Sequence, residues 1–61
     1  MVDLKKAREA IGITQEQLAK ECHVIRQTIS NIECGLSRPS VETAKLIGKT
    51  LNFDWVEFFS D

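Results

Sequence analysis

Gly12-Ile13-Thr14-Gln15-Glu16-Gln17-Leu18-Ala19-Lys20-Glu21-Cys22-His23-Val24-Ile25-Arg26-Gln27-Thr28-Ile29-Ser30-Asn31-Ile32-Glu33-Cys34-Gly35 carries two short helix signals with a break between them. The first opens at Thr14. Threonine at the N-cap with Gln17 three residues later makes a capping box, in which each side chain bonds the other's free backbone N–H. Ile13 before the cap and Leu18 after it add an apolar staple across the same turn. The buried face of this helix is expected to carry Leu18, Ala19 and Cys22, and the chain breaks at His23. The next helix runs from about Arg26 to Glu33 or Cys34, with Ile29 and Ile32 inward and Val24 placed to staple onto Ile29. Gly35 ends it at a left-handed position.

Similar end signals lie outward on both sides. Asp3 stands as N-cap before Leu4, Ala7, Arg8 and Ile11, a single stripe closed by Gly12. After Gly35, Leu36-Ser37-Arg38-Pro39 reads as a loop. Ser40 then caps a helix with Val41, Ala44, Ile47 and Leu51 on its inner stripe. Gly48 inside that helix costs about 1 kcal/mol relative to alanine, so close backbone packing is expected there. Asn52 ends the helix. Phe53-Asp54-Trp55-Val56-Glu57-Phe58 repeats the box and staple, with Asp54 as cap, Glu57 at N3 and Phe53 meeting Phe58. No segment reads as a strand, repeat or linker. The expectation is an all-α, compact five-helix bundle, one domain over residues 1–61.

A chain of 61 residues is small enough to bury only about 60% of its unfolded surface. It has no apolar run near the ~18 residues of a membrane span. No apolar stretch follows Lys5-Lys6, so no signal peptide is read and a cytoplasmic location is expected. Cys22 and Cys34, without a secretion signal, point to reduced thiols rather than a disulfide framework. His23 with the two cysteines supplies at most three ligands at irregular spacing, so neither a structural zinc nor any other cofactor is expected. One histidine, no glycine-rich phosphate loop and no serine or cysteine in a nucleophile setting argue against an enzyme, and no small-molecule substrate site is evident. The net charge of -1 counts against nucleic-acid binding. The charge is uneven, however: all eight basic residues fall within residues 1–49, and the last twelve residues are acidic only. An uneven field can still present a positive face.

Two short helices with a tight break form a helix-turn-helix pattern, which periodicity alone does not separate from other helical bundles. The residues go further. Gly12 to Ala19, Val24, Arg26 to Glu33, Gly35 and Arg38-Pro39-Ser40 closely resemble the phage repressor/Cro-like (Xre-type) helix-turn-helix family. The resemblance runs from Leu4 to Phe59 and is gapless through the core motif. It implies a lambda-repressor-like domain whose third helix enters the major groove of double-stranded DNA, with members usually paired as homodimers on two-fold related sites. By match to the motif, Arg26, Gln27 and Asn31 fall at base-reading positions and Gln15 at a phosphate contact. Ser37 and Arg38, in the following loop, fall near the DNA backbone. The chemistry agrees: arginine can bond guanine O6 and N7, and glutamine or asparagine adenine N6 and N7. Thr28 and Ser30 add hydroxyls on or beside that face, and Gln15 at a helix N-terminus suits an anion. The competing reading is a plain solvated polar face.

The resemblance also places Arg8 and Glu33 in contact beneath the third helix, so a buried or half-buried ion pair is expected in place of two surface charges. Two positions depart from the family. His23 stands where glycine is usual, and histidine tolerates the positive φ better than most residues. Ile25 stands where a serine cap is usual, and isoleucine cannot cap. Either Ile25 meets a thymine methyl in the groove or it packs locally. At the C-terminal end, Trp55, Val56, Phe58 and Phe59 exceed what one helix turn can bury, and Leu46 falls on the outer side of the preceding helix. A two-fold dimer interface using some of Leu46, Trp55, Val56 and Phe59 is the expectation, against Trp55 and Phe58 in the chain's own core with the others scattered on the surface. If the protein ends at Asp61 it carries no sensor or cleavage domain, and regulation is then expected from concentration, competition or a separate partner. The expected function is a transcriptional regulator, with repression favoured. The alternative is a protein-interaction module on the same fold, antitoxin-like or partner-binding, suggested by the aromatic end and negative charge.

Overall fold

Among the described residues, three of the four α-helices begin with a side-chain cap. A computed structural model describes residues 3–59. It contains α1 (Leu4–Ala10), α2 (Gln15–Glu21), α3 (Arg26–Glu33), α4 (Val41–Leu51) and a 3-10 helix (Trp55–Phe59). The Lys6 N–H donates to Asp3 Oδ1 at 3.1 Å. Thr14 and Gln17 form the reciprocal box, Gln17 N–H to Thr14 Oγ1 at 3.1 Å and Thr14 N–H to Gln17 Oε1 at 2.8 Å. The Thr43 N–H donates to Ser40 Oγ at 3.1 Å. At the start of α3, Ile25 is extended and makes no side-chain bond.

The helix ends share one device. After α1, α2 and α3 the chain turns left-handed at Gly12 (φ 75°), His23 (φ 58°) and Gly35 (φ 76°). Each turn lets two N–H groups bond back to the last orphan carbonyls. His23 N–H reaches the Lys20 carbonyl at 3.3 Å and Val24 N–H that of Ala19 at 3.0 Å. Gly35 N–H reaches Ile32 at 3.2 Å and Leu36 N–H reaches Asn31 at 2.9 Å. Histidine thus adopts the turn that the sequence assigned to it, in a backbone region where glycine is unstrained.

Leu18, Cys22, Ile29 and Ile47 are fully buried, and Leu4, Ala19, Ala44, Leu51 and Phe58 complete the core around them. Half-buried Ile13, Val24, Ile32, Leu46, Phe53 and Trp55 pack against it. Gly48 sits where α4 meets the returning chain: a Cβ there would lie 2.7 Å from the Phe53 carbonyl oxygen. Close approach therefore accounts for a glycine inside this helix.

Three expectations are corrected. The fifth element is a 3-10 helix rather than an α-helix, so the architecture is four α-helices and a 3-10 turn. Five residues are too few to gain from α-helical cooperativity, and short runs close as 3-10. Phe53 does meet Phe58, with ring centroids 5.4 Å apart, but Asp54 Oδ1 accepts from Val56 N–H at 3.1 Å, two residues on instead of three. Val41 and Ile11 are exposed, not on the inner stripes. Val41 is the first residue of α4 and Ile11 lies just past the last of α1, where the chain has not joined or has already left the buried face.

Candidate nucleic-acid interface

The inner face of α3 is fixed before its outer face can do anything. Ile29 is fully buried and Ile32 packs against the core. With those positions inward, a 3.6-residue repeat turns residues 26, 27, 30 and 31 away from the core. Arg26 and Gln27 are exposed; Thr28, Ser30 and Asn31 are half-buried; Ile25 is 70% exposed. Ser37 and Arg38 are exposed in the α3–α4 loop, next to buried Pro39, which anchors that loop.

Glu33 is the hub beneath this face. Arg8 Nε donates to Glu33 Oε2 at 2.7 Å and its second terminal nitrogen reaches Oε1 at 3.4 Å. The remaining Arg8 nitrogen donates to the Ile13 carbonyl at 2.8 Å. The side chains are only 11% and 5% exposed. Gln15 Nε2 adds a third donor to Glu33, at 3.0 Å. The hydrogen bond to Glu33 holds the Arg8 guanidinium above its ordinary pKa against the opposing effect of burial. Burial works against the Glu33 charge, but the bonds from Arg8 and Gln15 and the nearby positive charge outweigh it, so the carboxyl titrates below its usual value.

Two bonds on the outer surface are absent from the sequence reading. Arg26 Nε donates to Gln15 Oε1 at 3.4 Å. Gln15 therefore bridges α2, the Glu33 hub and the first residue of α3, rather than standing free at a helix N-terminus. Gln27 Nε2 donates to Asn31 Oδ1 at 2.9 Å. The signal for that second bond was present: two amides four residues apart on a helix are neighbours.

The C-terminal apolar residues divide into two kinds. Leu46 and Trp55 pack partly into the chain's own core, while Val56 and Phe59 are exposed. Trp55 stands edge-on to Phe59 at 6.1 Å between ring centroids, and Lys45 Nζ lies 5.3 Å from the Trp55 ring. Among the described residues, no three histidine, cysteine or acidic side chains gather as a metal site, and no helix is long and apolar enough to cross a membrane.

A family model described as helix-turn-helix matches residues 4–58. An uncharacterized HTH-type transcriptional regulator of Bacillus subtilis (strain 168), YqaF, is 47% identical over 58 residues, spanning 95% of this chain and 76% of that protein. An uncharacterized HTH-type transcriptional regulator of Methanothermobacter thermautotrophicus is 37% identical over 54 residues, 88% of this chain and 78% of its own. No solved structure matches significantly.

Proposed function

Because this chain belongs to the Xre/Cro-like helix-turn-helix family of transcriptional regulators, we propose that it reads the major groove with α3 as a homodimer and represses transcription by blocking polymerase. The reading treats residues 1–61 as one DNA-binding unit acting in the cytoplasm. Its support is the surface of α3: Arg26, Gln27 and Asn31 gathered on the outer side of a helix whose inner side is tied down. Arg26 keeps its two terminal nitrogens for guanine O6 and N7, since only Nε is engaged by Gln15. Thr28, Ser30, Ser37, Arg38 and the spare amide hydrogen of Gln15 are assigned to phosphates or auxiliary contacts. Ile25 is assigned to a thymine methyl.

Size fits pairing. The Cα trace extends 27 × 21 × 19 Å, enough for one copy per half-site when half-sites lie about 34 Å apart on one face of the duplex. Val56 and Phe59, with the outer parts of Leu46 and Trp55, are the surface assigned to the second copy. The same exposed aromatic end favours a second reading, a module that binds another protein instead of DNA.

Selection of binding sites from random duplexes by the purified chain tests both. The expected product is a two-fold symmetric site whose affinity falls linearly in log salt as counterions are released. A pool with no enriched sequence and no salt dependence leaves the protein-binding module.

A further inference from the structure

Gln27 and Asn31 sit one turn apart on α3, both assigned by the family resemblance to base-reading positions. The structure gives them different situations. Gln27 is exposed, whereas Asn31 is half-buried farther along the helix. Gln27 Nε2 donates to Asn31 Oδ1 at 2.9 Å. That bond takes one of the two hydrogens on the Gln27 amide. The other hydrogen and Oε1 remain, and a donor beside an acceptor is what adenine requires at N7 and N6. Asn31 would need its own oxygen for the same task, and that oxygen already gives one of its two lone pairs to Gln27 and belongs to the less exposed of the two side chains.

Resting on the major-groove reading above, we propose that Gln27 reads an adenine and that Asn31 is its positioning residue, holding the Gln27 carboxamide in the orientation that leaves its reading edge free. A loose glutamine must freeze several torsions to meet a base. One already bonded to its neighbour has lost part of that freedom before DNA arrives. The recognition surface is then one reader with a support beneath it, not two independent readers, and Asn31 specifies no base pair of its own.

The test is equilibrium binding of the full chain to its selected duplex and to every single-base-pair replacement, for the parent, Gln27→Ala, Asn31→Ala and the double variant. Gln27→Ala is expected to erase the preference for adenine at one base pair, a loss of at least about fivefold. Asn31→Ala is expected to weaken preference at that same base pair about threefold, the effect of one hydrogen bond. In the Gln27→Ala background it is expected to change nothing further. The readout is the ratio between sequences, so a partly unfolded variant does not imitate the result. If Asn31→Ala retains its full effect in the double variant, acts on a different base pair or leaves every preference intact, the assignment is overturned. A parent chain that prefers no sequence overturns the major-groove reading itself, and this assignment with it.

Discussion

At its C-terminal end α3 is gripped from outside: Glu33 takes donors from Arg8 on α1 and Gln15 on α2, and the Asn31 carbonyl accepts from Leu36 of the next loop. At its N-terminal end the ties are fewer: Arg26 Nε reaches Gln15 Oε1 at 3.4 Å, while Ile25 makes no capping bond and stands largely in solvent. The other three helices begin with a capped first turn. The contrast shows that α3 is held more firmly at its C-terminal end than at its first turn. Rigidity comes from one end and availability from the other, so the side chains near residue 26 project from a fixed rod without their own local ties being complete.

The strongest way to break the contrast is to release the anchored end. Arg8→Ala leaves Glu33 nearly buried without its cation, and stranding one member of such a pair costs about 3–5 kcal/mol. A shift in denaturation midpoint corresponding to a loss of less than about 1 kcal/mol would mean that the grip on α3 lies elsewhere. Acid opens the same end more gradually. Glu33 titrates below its ordinary value when folded and near about 4.3 when unfolded. Its contribution is therefore fully present above the unfolded value and is lost as pH falls through the lower folded one. Stability measured between neutral and acid pH is expected to fall more steeply in the parent than in Glu33→Gln, which lacks this titration.

The open end gives the smallest effect, and of opposite sign. Ile25→Ser supplies the missing cap and is expected to raise stability by about 1 kcal/mol in the same denaturation assay. If Ile25 touches a thymine methyl, the same change weakens DNA binding about fourfold, the worth of one buried methyl-sized group. Stability gained with affinity unchanged would show that the open end serves packing alone.

Much of this organisation is legible from residue types. Asp3, Thr14 with Gln17, and Ser40 announce the helix starts because short polar side chains at those positions have few better partners than the first-turn N–H groups. Gly12 and Gly35 announce the ends, and spacing alone puts Leu18, Ala19 and Cys22 on one face of the second helix and Ile29 with Ile32 on one face of the third. The Arg8–Glu33 contact is different: the two are 25 residues apart, and it was the family resemblance, not periodicity, that suggested it. For Gln15 the sequence suggests only a helix N-terminus that suits an anion; three-dimensional placement shows its amide nitrogen donating to Glu33 and its oxygen accepting from Arg26. The last helix was misread for a related reason. Asp54 and Glu57 have the spacing of a capping box, but spacing does not say how much helix follows, and here the segment closes within five residues against α4.

Gly48 carries a consequence for the far side of the molecule. The bare backbone at that point lets Phe53 and Trp55 lie directly on α4, with the Trp55 Cβ only 3.1 Å from where a methyl would stand. Trp55 in turn braces Phe59. The tilt of the exposed aromatic end is thus set by a single hydrogen atom in the middle of a helix. A methyl in its place would re-aim that end without altering any residue on it, while every residue on the surface of α3 kept its identity.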